Sequence, residues 1–241
     1  MHMYCRIGVI NYMLNKLKPT VAVIDSGIGG LSVLSQLIKQ YKTGNFIYFA
    51  DNLNMPYGKK SKQFLTKRVG EIIEFLNLRY KPDHILIACN TASSVIENNK
   101  YSNVKTISFN NLMPILATPL TASQLAGFDV IADKTLANLV EHHIDNLTYL
   151  QKQLKHHIER LKLADYEQIK LGCTHYELIK PLFEKLCPKT KFHNNSDCLL
   201  EKLNFAPKND NLTVKILISK KSECYENKIN SVLTKLINEK F

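Results

Sequence analysis

Short apolar runs that each stop on a polar residue constrain the fold of this chain more than any other feature. Val21-Ala22-Val23-Ile24 ends on Asp25-Ser26, Phe46-Ile47-Tyr48-Phe49 on Ala50-Asp51, and the run 84–88 on Cys89. Unbroken apolar runs of this length suit strands buried on both faces. Between them the apolar spacing changes. Leu31, Leu34, Leu37 and Ile38 share one helical face, as do Phe64, Val69, Ile72, Ile73 and Leu76 within a helix expected over 61–79. A fourth strand is expected over 104–107. Strand–helix alternation predicts an α/β fold, a parallel sheet with helices on both faces. Ligands then bind beyond the carboxyl ends of the strands. That rim collects Asp25, Ser26, Asp51 with the loop 52–58, and Cys89.

A second series of elements follows. Residues 114–118 and 128–132 read as short strands and 135–163 as mostly helical and charged. Residues 168–172 read as a strand running into Cys173, and 191–193 as another. The late strand 214–218 is expected to return to the first sheet. The division expected is a discontinuous first α/β domain over 1–110 plus 193–241 and a second over 111–192, with the site in the cleft between them.

Composition excludes several classes. The chain has 241 residues and is 45% hydrophobic, enough for a sizeable core. No apolar run reaches the length of a membrane span, so no membrane partner is expected. The stretch 1–18 is mixed apolar and basic and lacks a secretory signal pattern, so the expected location is the cytoplasm, with reduced cysteines. The formal charge of +11 comes from lysines spread along the chain, without a basic run interleaved with aromatics, so no nucleic-acid partner is expected. The six cysteines, at 5, 89, 173, 187, 198 and 224, include no pair three apart, and no metal site is expected.

Cys89 and Cys173 occupy matching settings. Each closes an apolar strand, and each precedes a helix start containing a hydroxyl residue, Thr91 or Thr174, able to cap it. A thiol there feels the positive end of the peptide dipoles, which predicts an easier thiolate. The bland alternative is a buried structural cysteine. Asn90-Thr91 beside the first and His175 beside the second favour chemistry, an acid and a base on opposite sides of one substrate atom. His84, His142, His143, His156 and His157 lack such a setting and are expected at the surface. The turn Asp25-Ser26-Gly27-Ile28-Gly29-Gly30 matches neither the dinucleotide fingerprint, since Ser32 stands where a glycine is needed, nor a P-loop. It is either an anion-binding turn or a tight strand-to-helix turn capped by Ser26. In Pro56-Tyr57-Gly58-Lys59-Lys60-Ser61, Tyr57 and Gly58 are placed to face the pocket.

Four segments, in this order, resemble the glutamate racemases. They are Val23-Ile24-Asp25-Ser26-Gly27-Ile28-Gly29-Gly30-Leu31-Ser32-Val33, Pro56-Tyr57-Gly58, Ile87-Ala88-Cys89-Asn90-Thr91-Ala92-Ser93 and Leu171-Gly172-Cys173-Thr174-His175-Tyr176. The resemblance implies a cofactor-independent isomerase that interconverts L- and D-glutamate with two cysteines. It also implies supply of D-glutamate for peptidoglycan, and a homodimer. It places the catalytic thiols at Cys89 and Cys173, with Asp25, His175 and Glu141 supporting them. It places substrate contacts at Asp25, Ser26, Tyr57, Gly58, Asn90, Thr91, Thr121, Thr174 and His175. The alternatives are a racemase for aspartate or another amino acid, and a non-catalytic binding protein of the same fold.

The chain departs from the family in its middle. Residues 108–113 lead almost directly to the strand 115–118, without the helix the family has there, and the next helix is reduced. Ala132-Asp133-Lys134-Thr135 stands where a cysteine-proline turn is usual, and Asn54 where arginine is usual. Lost helical cover exposes apolar sheet surface, which a helix within 1–18 is expected to hide.

Overall fold

The computed structural model describes residues 20–96, 100–203 and 211–239. In chain order the strands are β1 (Thr20–Asp25), β2 (Gly44–Ala50), β3 (His84–Ile87), β4 (Val104–Thr106), β5 (Ile115–Ala117), β6 (Val130–Ala132), β7 (Gln168–Gly172), β8 (Lys191–Asn194) and β9 (Leu212–Ile218). The helices are α1 (Leu31–Tyr41), α2 (Lys62–Arg79), α3 (Asn90–Ser93), α4 (Pro119–Gln124), α5 (Leu136–His143), α6 (Leu147–Leu161), α7 (Thr174–Leu178), α8 (Lys180–Leu186), α9 (Asp197–Glu201) and α10 (Glu223–Ile237).

The strands form two parallel sheets, in the orders β4-β3-β1-β2-β9 and β6-β5-β7-β8. The α/β class expected from the strand–helix alternation is therefore found. Every residue of β1 and β2 is buried, because helices cover both faces. Ala22, Ile24, Ile47 and Phe49 pack on Leu65, Val69, Ile72 and Ile73 of α2. The opposite face, with Val21, Val23, Phe46 and Tyr48, packs on Leu31, Leu34 and Leu37 of α1 and on Ile229 and Val232 of α10. Ser61 caps α2 by accepting from the Phe64 N–H at 3.1 Å. β9 returns to the first sheet beside β2, as expected.

The second sheet has less cover. Residues 107–114 pass from β4 to β5 without a helix, and α4 has only six residues. One face joins the main core through Leu116, Ile169 and Leu171, packed with Val140, Leu150 and Leu154. The other face has only the small cluster of Ile115, Ala117 and Leu125, with Phe109, Phe128 and Val130. The helix expected within 1–18 to cover such a face lies outside the described residues. Among the described residues, no helix is long and apolar enough to cross a membrane.

A buried carboxyl joins the two halves. Glu177 of α7 accepts from Ser32 Oγ of α1 at 3.2 Å, from the Ser196 N–H at 3.0 Å and from the Ser196 hydroxyl. Burial pushes this carboxyl from 4.5 up to about 7, against those hydrogen bonds. The folded state thus holds a proton that the unfolded chain releases near pH 4.5. The stability this group contributes is full below about pH 4.5 and falls as the pH rises to about 7. Glu177→Gln keeps the shape and cannot titrate. It is expected to flatten the fall in unfolding free energy across this window, measured by urea titration at stepped pH. A slope equal to that of the unmodified protein would show that Glu177 does not titrate there.

Candidate active site

The carboxyl ends of both sheets open onto one cleft of about 670 Å³. From the first sheet it is lined by Ser26, Tyr57, Gly58, Cys89, Asn90 and Thr91, and from the second by Thr118, Asp133, Glu141, Cys173, Thr174 and His175. Two residues singled out in the sequence, Asp25 and Thr121, are fully buried behind the lining rather than part of it. Both touch it. Thr174 Oγ1 donates to Asp25 Oδ2 at 3.0 Å, and Thr121 shares a hydroxyl cluster with Thr91 and Thr118 at 3.0–3.1 Å.

The thiols themselves occupy the N-cap positions, Cys89 ahead of α3 and Cys173 ahead of α7. Neither helix has a side-chain cap, so the expectation of capping by Thr91 and Thr174 is corrected. Their hydroxyls turn away to the partners just named. Both helices are a single turn long, so little dipole is available. The expected easy thiolate at Cys89 is corrected as well. Burial pushes the Cys89 thiol well above 9.0, the neighbouring Asp25 carboxylate adds to the rise, and the Ala92 N–H opposes it only in part. Cys89 Sγ faces Ser26 Oγ at 3.9 Å, so Ser26 serves the cleft and does not cap α1, whose N-cap is Gly30.

Cys173 Sγ lies 3.9 Å from His175 Nδ1, and His175 Nε2 lies 2.6 Å from Glu141 Oε2. Burial would lower the imidazole. Cys173 and Glu141 beside it outweigh burial and hold it well above 6.5. Burial would raise Glu141, and His175 reverses that shift and lowers it. The pair is therefore imidazolium against carboxylate. Asp25 is held above 3.8 by burial, opposed by His175 nearby and by the Gly27 N–H, which donates at 2.9 Å.

The glycine turn has a different purpose from the one expected. Gly27 and Gly29 are not among the glycines with positive φ. They are needed because the second half occupies the space of a side chain. A Cβ on Gly29 would lie 2.7 Å from His175 Nδ1 and nearer still to Thr174 Oγ1. One on Gly27 would lie 3.0 Å from Glu141 Cδ and nearer still to its Oε2. Between them the Ile28 N–H donates to Glu141 Oε2 at 3.1 Å, so the anion at this turn is a side chain of the chain itself.

No family model matches the chain. It is 31% identical over 195 residues, 69% of its own length and 75% of the relative's, to the glutamate racemase of Aliarcobacter butzleri. The chain belongs to the glutamate racemase family. Its fold is that of a glutamate racemase isoform of Bacillus anthracis, at a TM-score of 0.75 and 22% identity, covering 90% of this chain and 94% of that one. It is also that of Escherichia coli glutamate racemase in complex with L-glutamate and the activator UDP-MurNAc-Ala, at a TM-score of 0.72 and 23% identity, covering 91% and 95%.

Against this glutamate racemase background, the contacts of three acidic residues, Glu141, Asp133 and Asp51, have no signal in the local sequence. Tyr225 of α10 donates to Glu141 Oε1 at 2.9 Å, while Lys228 Nζ donates to the Glu141 carbonyl at 2.8 Å. Asp133 is buried and accepts from the Leu136 N–H at 2.7 Å, from Arg160 and from the His157 ring, 2.8 Å away. His157 is thus not the surface residue expected. Arg68 of α2 grips Asp51 in a fork at 2.8 and 2.9 Å. Tyr57 Oη donates to the same carboxylate at 2.7 Å, and Asn54 Nδ2 reaches it at 3.0 Å. Burial would raise Asp51, and Arg68 overrides it and holds the carboxyl low. A helix therefore supplies a guanidinium beside Asn54, where the family resemblance leads one to expect arginine.

Two outcomes follow from this geometry. Iodoacetamide at neutral pH is expected to label the exposed Cys224 quickly and Cys89 much more slowly, read by peptide mass mapping. Equal labelling rates would contradict the raised thiol. Gly29→Ala is expected to cost about 1–3 kcal/mol of unfolding free energy and to cut turnover, because Thr174 and His175 must move. A denaturant titration and an activity assay check both.

Proposed function

We propose that this chain interconverts L- and D-glutamate, with Cys89 and Cys173 exchanging the α-proton from opposite faces. One observation carries the proposal: two thiols, each at the carboxyl end of a strand in a different sheet, line the same cleft. Racemisation removes the α-hydrogen as a proton on one side and returns a proton on the other. The two groups exchange roles when the direction reverses, so each must serve as acid and as base. The raised Cys89 thiol suits a weakly acidic C–H, since its thiolate, once formed, is a stronger base.

Each thiol has its own support in the scheme. His175, held charged by Glu141, sits 3.9 Å from the Cys173 sulfur. Asp25, held above its usual range by burial, stands on the Cys89 side. Negative charge developing on the substrate is met by fixed donors in the cleft, with Ser26, Asn90, Thr91 and Thr174 assigned to this role and Tyr57, Gly58 and Thr121 shaping the walls. No step calls on a cofactor. Glutamate as substrate is supported by family membership and by the L-glutamate bound to the Escherichia coli relative.

We further assign the sheets to two domains, the first over 1–110 plus 193–241 and the second over 111–192. The same proposal has the protein acting in the cytoplasm as a homodimer and supplying D-glutamate for peptidoglycan.

Cys89→Ala and Cys173→Ala are each expected to abolish racemisation in both directions, followed by circular dichroism of the glutamate. The unmodified protein in heavy water is expected to place deuterium at the α-carbon of the product. Near-normal turnover in either variant, or a product that keeps its original hydrogen, would rule out the two-thiol scheme.

A further inference from the structure

Asn90 is 1% exposed, lines the cleft, and has half of its amide committed. Its Oδ1 accepts from Asn195 Nδ2 at 2.7 Å. Its own Nδ2 is buried and has no hydrogen-bond partner. A buried amide nitrogen left unpaired is costly, and in native proteins such groups are nearly always matched. The missing partner is an acceptor, and the open side of Asn90 is the cleft.

We propose that Asn195 is a positioning residue that fixes which end of the Asn90 amide meets the substrate. The assignment rests on the proposed role of Asn90 as a substrate contact. An asparagine amide can present either two N–H donors or a carbonyl acceptor. Glutamate offers two carboxylates and one ammonium, so the orientation decides which of these the site accepts at this point. With its oxygen taken by Asn195, Asn90 shows only donors, and that place takes a carboxylate and rejects the ammonium. Asn195 is itself 2% exposed and lies outside the cleft lining. It follows β8 of the second sheet, with its N–H to the Leu171 carbonyl at 3.4 Å and its carbonyl accepting from the Cys198 thiol at 3.2 Å. The orientation of the Asn90 amide is therefore set by a residue that directly follows β8 of the second sheet.

The test is steady-state kinetics of the full chain with L- and D-glutamate. Asn195→Asp replaces the donor with an acceptor of the same shape, which draws the Asn90 nitrogen to itself and turns the carbonyl toward the substrate. KM is expected to rise between about ten- and a hundredfold in both directions, with kcat changed by less than about threefold. Asn195→Ser keeps a donor and is expected to hold KM within about threefold, whereas Asn195→Ala loses the donor and raises it. This second pair carries the test if Asn195→Asp does not fold.

A double-variant cycle separates the proposed route from plain repulsion by the new charge. Asn90→Leu alone is expected to raise KM, and Asn195→Asp added to it is expected to raise KM no further. An unchanged KM in Asn195→Asp, or effects that multiply in the double variant, would overturn the role of Asn195 and leave Asn90 as a substrate contact. An unchanged KM in Asn90→Leu would instead remove Asn90 from the substrate site, and the role of Asn195 with it.

Discussion

The turn at Gly27–Gly29 is where the two halves of the molecule meet at backbone distance, and the rest of the site is built on that approach. Glu141, Thr174 and His175 come from the second half, yet they fill the volume where the first half would carry side chains. The Ile28 N–H and the Asp25 carboxylate then bind Glu141 and Thr174 directly. A close-packed interior transmits small displacements, so an extra methyl group here would shift the imidazole beside Cys173. The same contact explains why the core is continuous, with Val23 and Leu34 of one half in a single cluster with Leu116 and Val140 of the other.

The charges around the thiols are arranged asymmetrically. The Cys173 side holds an ion pair, His175 with Glu141, tied further by Tyr225 and by Lys228. The Cys89 side holds a carboxyl, Asp25, held above its ordinary value by burial, and a hydroxyl, Ser26. Enantiomers have equal free energies, so an enzyme acting on both must reach the same kcat/KM in either direction whatever the asymmetry of its two faces. The unequal surroundings of the thiols can make kcat and KM differ between the two directions, but only by a common factor.

Much of this was legible in the sequence. Runs such as Val21-Ala22-Val23-Ile24 and the helical spacing of Leu31, Leu34 and Leu37 place the first sheet and its cover correctly, because buried parallel strands leave little freedom in residue type. Cys89, Cys173, Ser26 and His175 fall on one cleft because strand ends in such folds share a rim. The contacts that stayed hidden are those between residues far apart in the chain. Arg68 with Asp51, Tyr225 with Glu141 and Asn195 with Asn90 leave no periodic trace, since tertiary packing alone brings them together. Two local signals mislead for one reason. A hydroxyl next to a helix start reads as a cap, and a thiol there as an acidic one, whereas burial sets the Cys89 thiol's proton affinity and the threonines find partners far along the chain.

β6 is the outer member of its sheet, with Ile131 half-buried and Ala132 exposed. An outermost strand offers its free main-chain groups to any passing polypeptide, which is a common route to unwanted self-association. At three residues, β6 gives a stranger almost nothing to grip. Brevity thus protects a thinly covered flank, and lengthening this strand would be a hazardous way to try to shore up the second sheet.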